Sequence, residues 1–493
     1  MKHGTKLAAG LAIVIAAVAT CLGGAIGVTL MASGVFSTAE PAWTTQVPML
    51  GRSVTVNVPG VARLLTAPGI AHVLDGRSFA APMGRLAFRR DRHVLVITCA
   101  PCAIQHPTVA SVPLVLTRVE LRAEREDSKV AGQLAIDGVT ATFMAQLAAD
   151  RVRIQWQLPE TEVAAVYRAL ATIVPEARSA RIEGTLHAQG VLDLPSRKGS
   201  LVFGVDSLEV GGLGTEALQF GWFRIACAGT SGAALTIVTG DGETPWVALD
   251  RLGAYLPAAA IAAEDQRFLE HSGIDATELA ALFADVDGAP RRGASTLTQQ
   301  LARALYTGGE RTAARKLREL LYALEMERTL GKARVLELYL NTVHWGPGIC
   351  GARAAARSYF NKTPARLTPI EAAWLAGILR HPHTAFAEQF VARTPERKHA
   401  VWVLQQMREF PRGDRRRWAS EPLSFTAPRS PGSGKARPPV VAAVAAARSS
   451  AKVSGESEAN AASSPSASTT TIVAPKRDSV LLTAPKDLHA IRR

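Results

Sequence analysis

Cysteine is scarce in this chain, with five among 493 residues. Only Cys99-Ala100-Pro101-Cys102 brings two of them close together. No βαβ pattern surrounds this pair, which argues against a thioredoxin-like redox site. In an exported domain the pair reads as a local disulfide or as two idle thiols. A metal site would need further ligands that the sequence does not supply. Acidic residues are also in deficit: 42 Asp and Glu stand against 56 Lys and Arg, a formal net charge of +14. That excess implies an anionic partner, whether nucleic acid, phospholipid or a phosphorylated substrate. Nucleic acid finds no support, because zinc-finger spacing and base-stacking aromatic–basic alternation are both missing.

One long apolar run is present. Residues 7–32 carry no charge and are long enough to cross a bilayer as a helix. Lys2 and Lys6 precede it, which predicts a cytoplasmic N-terminus and an exported remainder. The run is long for a cleaved signal peptide and lacks a small-x-small site directly after it, so residues 1–40 read as a retained transmembrane anchor. Cys21 after Val18-Ala19-Thr20 makes a poor lipoprotein box, because Thr precedes the cysteine.

The length allows two or three domains beyond the anchor. Residues 41–243 read mostly as strands. Val54–Val58, Arg151–Leu158, Ala180–Ala188 and Ser200–Val205 alternate with period two, separated by Gly, Pro and Asp. That pattern predicts antiparallel β-structure. One helix is expected across Glu160–Ile173, with Val163, Val166, Tyr167, Leu170 and Ile173 on one face. The region is expected to be a β-rich (α+β) extracytoplasmic domain, serving as a spacer or docking module. From 244 to 410 the pattern turns helical. Leu317, Leu320, Leu321 and Leu324 recur at helical spacing, as do Val335, Leu336, Tyr339 and Leu340. Thr368-Pro369-Ile370-Glu371 is a helix start, with Thr as N-cap, Pro in the first turn and Glu at the third position. Residues 411–493 hold 14 Lys and Arg and 6 Asp and Glu, a charge of +8. They are rich in Ala, Ser, Pro and Thr, and read as a disordered basic tail. It lies either on an anionic surface or free in solvent.

The residues that carry chemistry cluster in the helical region. Glu264, Phe268 and His271 fall at i, i+4 and i+7, one face of a helix. A glutamate among apolar neighbours has the raised pKa that a general base needs; the alternative is an ordinary helix with an exposed acidic pair. Gly293-Ala294-Ser295-Thr296 permits a tight turn whose hydroxyls suit sugar or phosphate oxygens, or simply caps a helix. Arg311, Arg315, Arg318, Tyr322 and Glu325 follow at helical intervals and predict a cationic face opposite the leucines. Arginine forks match phosphate oxygens, and a pyrophosphate leaving group needs such charge; the alternative is a solvated charged face.

Taken in order, these blocks resemble the peptidoglycan glycosyltransferase (transglycosylase) domain of monofunctional biosynthetic transglycosylases and class A penicillin-binding proteins. The first block is Glu264, Asp265, Phe268, His271, Gly273 and Asp275. The second is Gly293, Ser295, Thr296, Leu297, Gln299 and Gln300, and the third is Arg315, Lys316 and Glu319. A fourth runs Glu337-Leu338-Tyr339-Leu340-Asn341, continued by Trp345-Gly346-Pro347-Gly348. The stretches Ala354–Lys362 and Leu367–Ala373 match the remainder. About a third of the chain is covered. Ser449-Ser450-Ala451-Lys452 formally matches the Ser-x-x-Lys of penicillin-binding transpeptidases, but it has no Lys-Thr-Gly companion.

The resemblance implies a mainly α, lysozyme-like fold and polymerisation of lipid II, a disaccharide-peptide on undecaprenyl pyrophosphate, with inversion at the anomeric carbon. Glu264 aligns with the family's general base and Glu319 with its second glutamate. Arg303, Arg311, Arg315, Lys316 and Arg318 would neutralise the pyrophosphate. Ser295, Thr296, Gln299 and Gln300 would line the cleft, joined as substrate-binding positions by Asp265, Phe268, His271, Gly293 and Asn341. Some relatives place a divalent cation, Mg or Mn, at the pyrophosphate; no dedicated metal site is apparent here. The partners implied are lipid II and nascent glycan, membrane lipid at the anchor, and cell-wall synthesis proteins at the β-rich domain. The implied location is the bacterial inner membrane, single-pass, with the catalytic region outside the cytoplasm. Two departures stand out: Arg303-Ala304 where the family usually has Lys-Asn, and Cys350 where it has an aromatic. A lysozyme-like glycan-cleaving enzyme and a non-catalytic lipid II-binding scaffold are the alternative readings. The cationic helix argues against the first, and the intact Glu264 and Glu319 against the second.

Overall fold

The computed structural model describes residues 44–49, 52–57, 72–81, 83–148, 151–194, 198–219, 224–228, 234–238, 246–275 and 295–426. The expected anchor, Gly293 and residues 427–493 lie outside these. Among the described residues no helix is long and apolar enough to cross a membrane. The chain divides into two compact units, residues 1–220 with 264–339, and residues 221–263 with 340–493. The packing therefore does not divide at the expected 243/244 border: residues 264–339 belong with the β-rich region.

The first unit is built on a ten-stranded antiparallel sheet. Its strands are β3 (Ser78–Ala81), β4 (Gly84–Asp91), β5 (Val94–Ile104), β6 (Leu114–Leu116), β7 (Val119–Glu126), β8 (Lys129–Ile136), β9 (Val139–Leu147), β10 (Val152–Glu162), β11 (Arg181–Leu194) and β12 (Lys198–Gly211). A separate hairpin joins β1 (Thr44–Met49) to β2 (Arg52–Asn57). Nearly every strand pairs with its neighbour in sequence, as short connections dictate. Between β8 and β9 the two loop residues Asp137 (φ 46°) and Gly138 (φ 92°) are both left-handed, which matches the twist of a tight hairpin. Cys99 and Cys102 form a disulfide within β5, one of the two outcomes expected for the pair.

The helix expected from Glu160 is shorter than its apolar spacing suggested. Strand β10 continues to Glu162 because Thr161 and Glu162 pair with Leu186 and Thr185 of β11, beyond a bulge after Leu158. The helix α1 then spans Val163–Ala169, and a turn of 3₁₀ helix follows at Pro175–Arg178. Its residue Glu176 is buried.

Later helices are α2 (Tyr255–Glu264), α3 (Leu297–Ala302) and α4 (Ala313–Thr342). Helix α4 breaks at Gly331, whose φ of 71° and ψ of 168° suit only glycine. The leucine stripe of α4 is buried in the β-rich region. Ala314 and Leu321, with Leu317 and Leu324 beside them, enter one apolar core with Leu86 and Phe88 of β4, Leu95 of β5, Leu116 of β6, and Val163 and Tyr167 of α1. Polar contacts reinforce this packing. The Tyr167 hydroxyl donates to the Leu317 carbonyl at 3.2 Å. The buried Glu325 carboxylate accepts from the Leu213 N–H at 2.8 Å, and Arg334 Nε donates to the Leu218 carbonyl at 2.9 Å. The β-rich region is thus the packing partner of α4.

The second unit is mainly helical. It contains α5 (Gly351–Phe360), α6 (Pro369–Ile378), α7 (Pro382–Ala385), α8 (Arg397–Gln406) and α9 (Arg412–Ser420), with the short strands β13 (Arg224–Ala228), β14 (Ala234–Val238), β15 (His344–Gly346) and β16 (Ile349–Cys350). The start of α6 has the expected capping box between Thr368 and Glu371. An aromatic cluster of Tyr359, Phe360, Trp374, Phe390 and Phe425 forms the core. Residues 411–426, expected to belong to the tail, are instead packed into this unit. Helix α9 packs the buried Trp418 against Tyr255 and Phe410, and the Thr426 N–H donates to the Tyr359 carbonyl at 3.2 Å.

Candidate active site

Helix α2 ends at Glu264, so Glu264, Phe268 and His271 do not share one helix face. Asp265 turns the chain away. Its carboxylate accepts from the Leu297 N–H at 2.9 Å and lies 2.9 Å from His271 Nε2. The Gly273 N–H donates to His271 Nδ1 at 3.2 Å. That bond assigns the ring proton to Nε2, so a neutral His271 donates to Asp265. Phe268 is fully buried, with Lys332 Nζ 4.3 Å from its ring centre. Thr296 caps α3: its hydroxyl accepts from the Gln299 N–H at 3.2 Å and donates to the Gly273 carbonyl at 2.7 Å. Gly273 has φ of 92°, and a Cβ there would sit 2.7 Å from the Ala323 carbonyl oxygen. Asp265, Phe268, His271 and Thr296 therefore support the site from behind. Asn341, in the other unit, is buried and bonded to both the N–H and the carbonyl of Val247 at 2.9 and 2.8 Å.

Helix α3 carries the side chains that organise the site itself. Gln300 Nε2 donates to the Glu264 carboxylate at 2.9 Å, and the Tyr339 hydroxyl donates to Gln300 Oε1 at 3.0 Å. These two bonds fix the orientation of the amide. Burial, and then the Glu264 charge, hold the Tyr339 phenol well above its usual value, so it stays a donor. The adjacent Gln299 faces a second group. Lys316 Nζ donates to Gln299 Oε1 at 2.6 Å, to the Ser295 hydroxyl at 2.7 Å and to Glu319 at 3.1 Å. Arg315 pairs with the other oxygen of the buried Glu319. Burial, followed by the Arg315 and Arg303 charges, pushes the Lys316 ammonium down to about 8.

Beside this group opens a cavity of about 590 Å³ lined by Arg303, Arg311, Arg315, Thr108, Gly309, Thr312 and Ala313. Arg303 begins a five-residue π-turn, Arg303–Thr307, that continues directly from α3. The buried Nε of Arg315 has no acceptor among the described residues, so an anionic guest would satisfy it. Cavity and cations together suit a phosphate-bearing ligand.

Arg318 stands apart from its expected role. Its Nε donates to both oxygens of Glu176 at 2.8 and 2.9 Å. The cationic face expected along α4 is thus split. Arg303, Arg311 and Arg315 turn to the cavity, while Arg318 is neutralised by the β-rich region. Sequence reasoning missed Glu176 and Thr108, which carry no local signal and act across more than a hundred residues of chain. It missed the support of Gln300 by Tyr339 as well, although Tyr339 lay within a block already recognised.

The sequence profile of the transglycosylase family matches residues 232–408. A biosynthetic peptidoglycan transglycosylase of Shewanella amazonensis is 46% identical over 165 residues, which is 33% of this chain and 66% of the relative. Proteins of the same description from Aeromonas hydrophila and Alcanivorax borkumensis are 42% and 44% identical, over 68% and 69% of their own lengths. The chain therefore spans about two thirds of these relatives. The β-rich sheet lies outside the matched residues.

Proposed function

The chain belongs to the biosynthetic peptidoglycan transglycosylase family, and from that premise we propose that it polymerises lipid II into glycan strands. Glu264 acts as the general base. It takes the proton of the acceptor's 4-hydroxyl as that oxygen forms a bond to the donor's anomeric carbon. The bond from that carbon to the pyrophosphate oxygen breaks, with inversion, and its electron pair leaves with undecaprenyl pyrophosphate. Arg303, Arg311 and Arg315 meet the departing charge, which is worth most where water is thinned. Glu319 serves this side by holding Arg315 and Lys316 in place, and Ser295 and Gln299 fix Lys316 from the other flank. The apolar run at residues 7–32 would anchor the chain in the inner membrane, with the site facing the lipid-linked donor.

The observation that carries this reading is the division of labour along α3. Gln300 holds Glu264, Gln299 binds Lys316, and Arg303 opens onto the cavity. A base and a cation cluster are thereby connected through one short helix, as a displacement of pyrophosphate by a hydroxyl requires. A resident divalent cation fits this donor set poorly. Both Glu319 oxygens already accept from cations, and no group of metal-ligating side chains occurs among the described residues. Glu264→Gln should keep the hydrogen bond to Gln300 available and abolish polymerisation of lipid II by the purified protein. Normal glycan from that variant would sink the assignment.

A further inference from the structure

Glu176 lies in the β-rich region, outside the residues that match the transglycosylase family. It is buried, yet it is a carboxylate, and burying a charge is costly unless it is paired and bonded. The structure supplies the pairing from α4. Both oxygens accept from Arg318 Nε, and Arg318 Nη2 lies 2.7 Å from Oε1. Tyr322 follows Arg318 one turn further along α4, and burial, then the Glu176 charge, push its phenol up to about 12. The Tyr322 ring stacks on Tyr306, with centroids 4.2 Å apart and planes 6° from parallel. Tyr306 is the fourth residue of the π-turn whose first residue, Arg303, lines the cavity. Such wide turns have one backbone step more than an α-turn, and their shape depends on what their side chains pack against. Here the packing surface is Tyr322, which stands one helical turn from the Arg318 that Glu176 grips and whose phenol faces the Glu176 charge.

We propose that Glu176 is a positioning residue for the cation cavity: from the β-rich region it sets Arg303, through Tyr322 and Tyr306, for the pyrophosphate of the lipid-linked donor. The inference rests on the lipid II reading above. It also accounts for the departure at this position. The guanidinium of Arg303 is directional where a lysine ammonium is not, so its direction has to be fixed. The β-rich region supplies that constraint, and this gives it a part in the reaction beyond spacing.

The test uses the full-length protein in detergent, with two measurements: steady-state polymerisation of lipid II, and equilibrium binding of undecaprenyl pyrophosphate. Glu176→Ala should weaken binding and raise the KM for lipid II about tenfold, the scale of one lost charge-assisted hydrogen bond, with kcat changed less than about twofold. Arg303→Ala should weaken binding as well and, because Arg303 also meets the departing charge, should lower kcat besides; in binding, the double variant should lose no more than Arg303→Ala alone, because the two act as one unit. Glu176→Asp should recover part of the loss. If Glu176→Ala fails to fold, Tyr306→Leu breaks the same chain from its other end and should reproduce the KM effect. Unchanged pyrophosphate binding in a folded Glu176 or Tyr306 variant, or fully additive losses in the double variant, would overturn the proposal. Failure of the lipid II reading looks different: the wild type would not polymerise, or Glu264→Gln would remain active, whatever Glu176 does.

Discussion

Lys316 is the cation of this site whose charge depends on pH within a working range. Burial first, and then the charges of Arg315 and Arg303, push it down to about 8. Below that value it is an ammonium bonded to Ser295, Gln299 and Glu319; above it, the proton leaves and the bond to Glu319 weakens. The rate should therefore fall as pH rises through about 8. Lys316→Arg, whose charge is fixed, should show a lower rate but lose that inflection. An unchanged inflection in the variant would assign the titration to another group. Gly273 offers a stability test at the same scale. A methyl there would sit 2.7 Å from the Ala323 carbonyl oxygen at a φ of 92°, so Gly273→Ala should destabilise by about 2 kcal/mol or more in chemical denaturation. The residue types of the site were legible in the sequence, but their duties were only partly so. Asp265 and His271 stand in the same motif as Glu264, yet they spend their hydrogen bonds on each other and on the Leu297 and Gly273 N–H groups. Spacing alone cannot separate a side chain that faces a ligand from one that braces the turn behind it.

Helix starts were readable where a side chain caps its own helix. The Thr368–Glu371 box is local, with both bonds made within four residues of chain. Thr368→Ala should cost about 1 kcal/mol, seen as a drop of a few degrees in melting temperature with activity retained. Helix ends were less readable. Residues 160–162 have the composition of a helix start, but pairing with β11 keeps them extended. Glu264 ends α2 where the apolar periodicity still continues, because Asp265 is drawn to the Leu297 N–H, which lies far away in sequence. In both places a distant partner outcompetes a local preference. The stripe of Leu317, Leu321 and Leu324 was visible as a buried face, but what it is buried against was not.

At the scale of the whole molecule, the β-rich region does not behave as a detachable spacer. It shares a core with α4 and supplies partners to Arg318, Glu325 and Arg334. Deleting residues 44–239 should therefore expose the α4 leucines and give insoluble or inactive protein, where a spacer would leave an active enzyme. Truncation at the other end should discriminate equally well. Ending the chain after residue 426 retains Trp418 and Phe425 in their aromatic contacts, so its melting temperature should match the full chain. Ending it after residue 410 removes both and should lower that temperature by several degrees or more. Composition concealed this border, because Arg412, Arg415, Arg416 and Arg417 surround the one tryptophan that α9 buries.

The first turn of α4 carries a further consequence. Its opening N–H groups are all engaged: Ala313 and Ala314 donate to the carbonyls of Thr108 and Val109, Arg315 to the Thr312 hydroxyl, and Lys316 to the Thr312 carbonyl. A helix terminus is often a fixed, oriented source of positive potential for an anion. In this molecule that source is already consumed, half by the β-rich turn and half by Thr312. The cavity must attract its guest with guanidinium groups that stand partly in water, and such charges are screened within about 8 Å at physiological ionic strength. If Glu264 is the base as proposed, added salt should therefore raise the KM for the donor steeply and leave kcat almost untouched, so that ionic strength sets how readily the donor is captured.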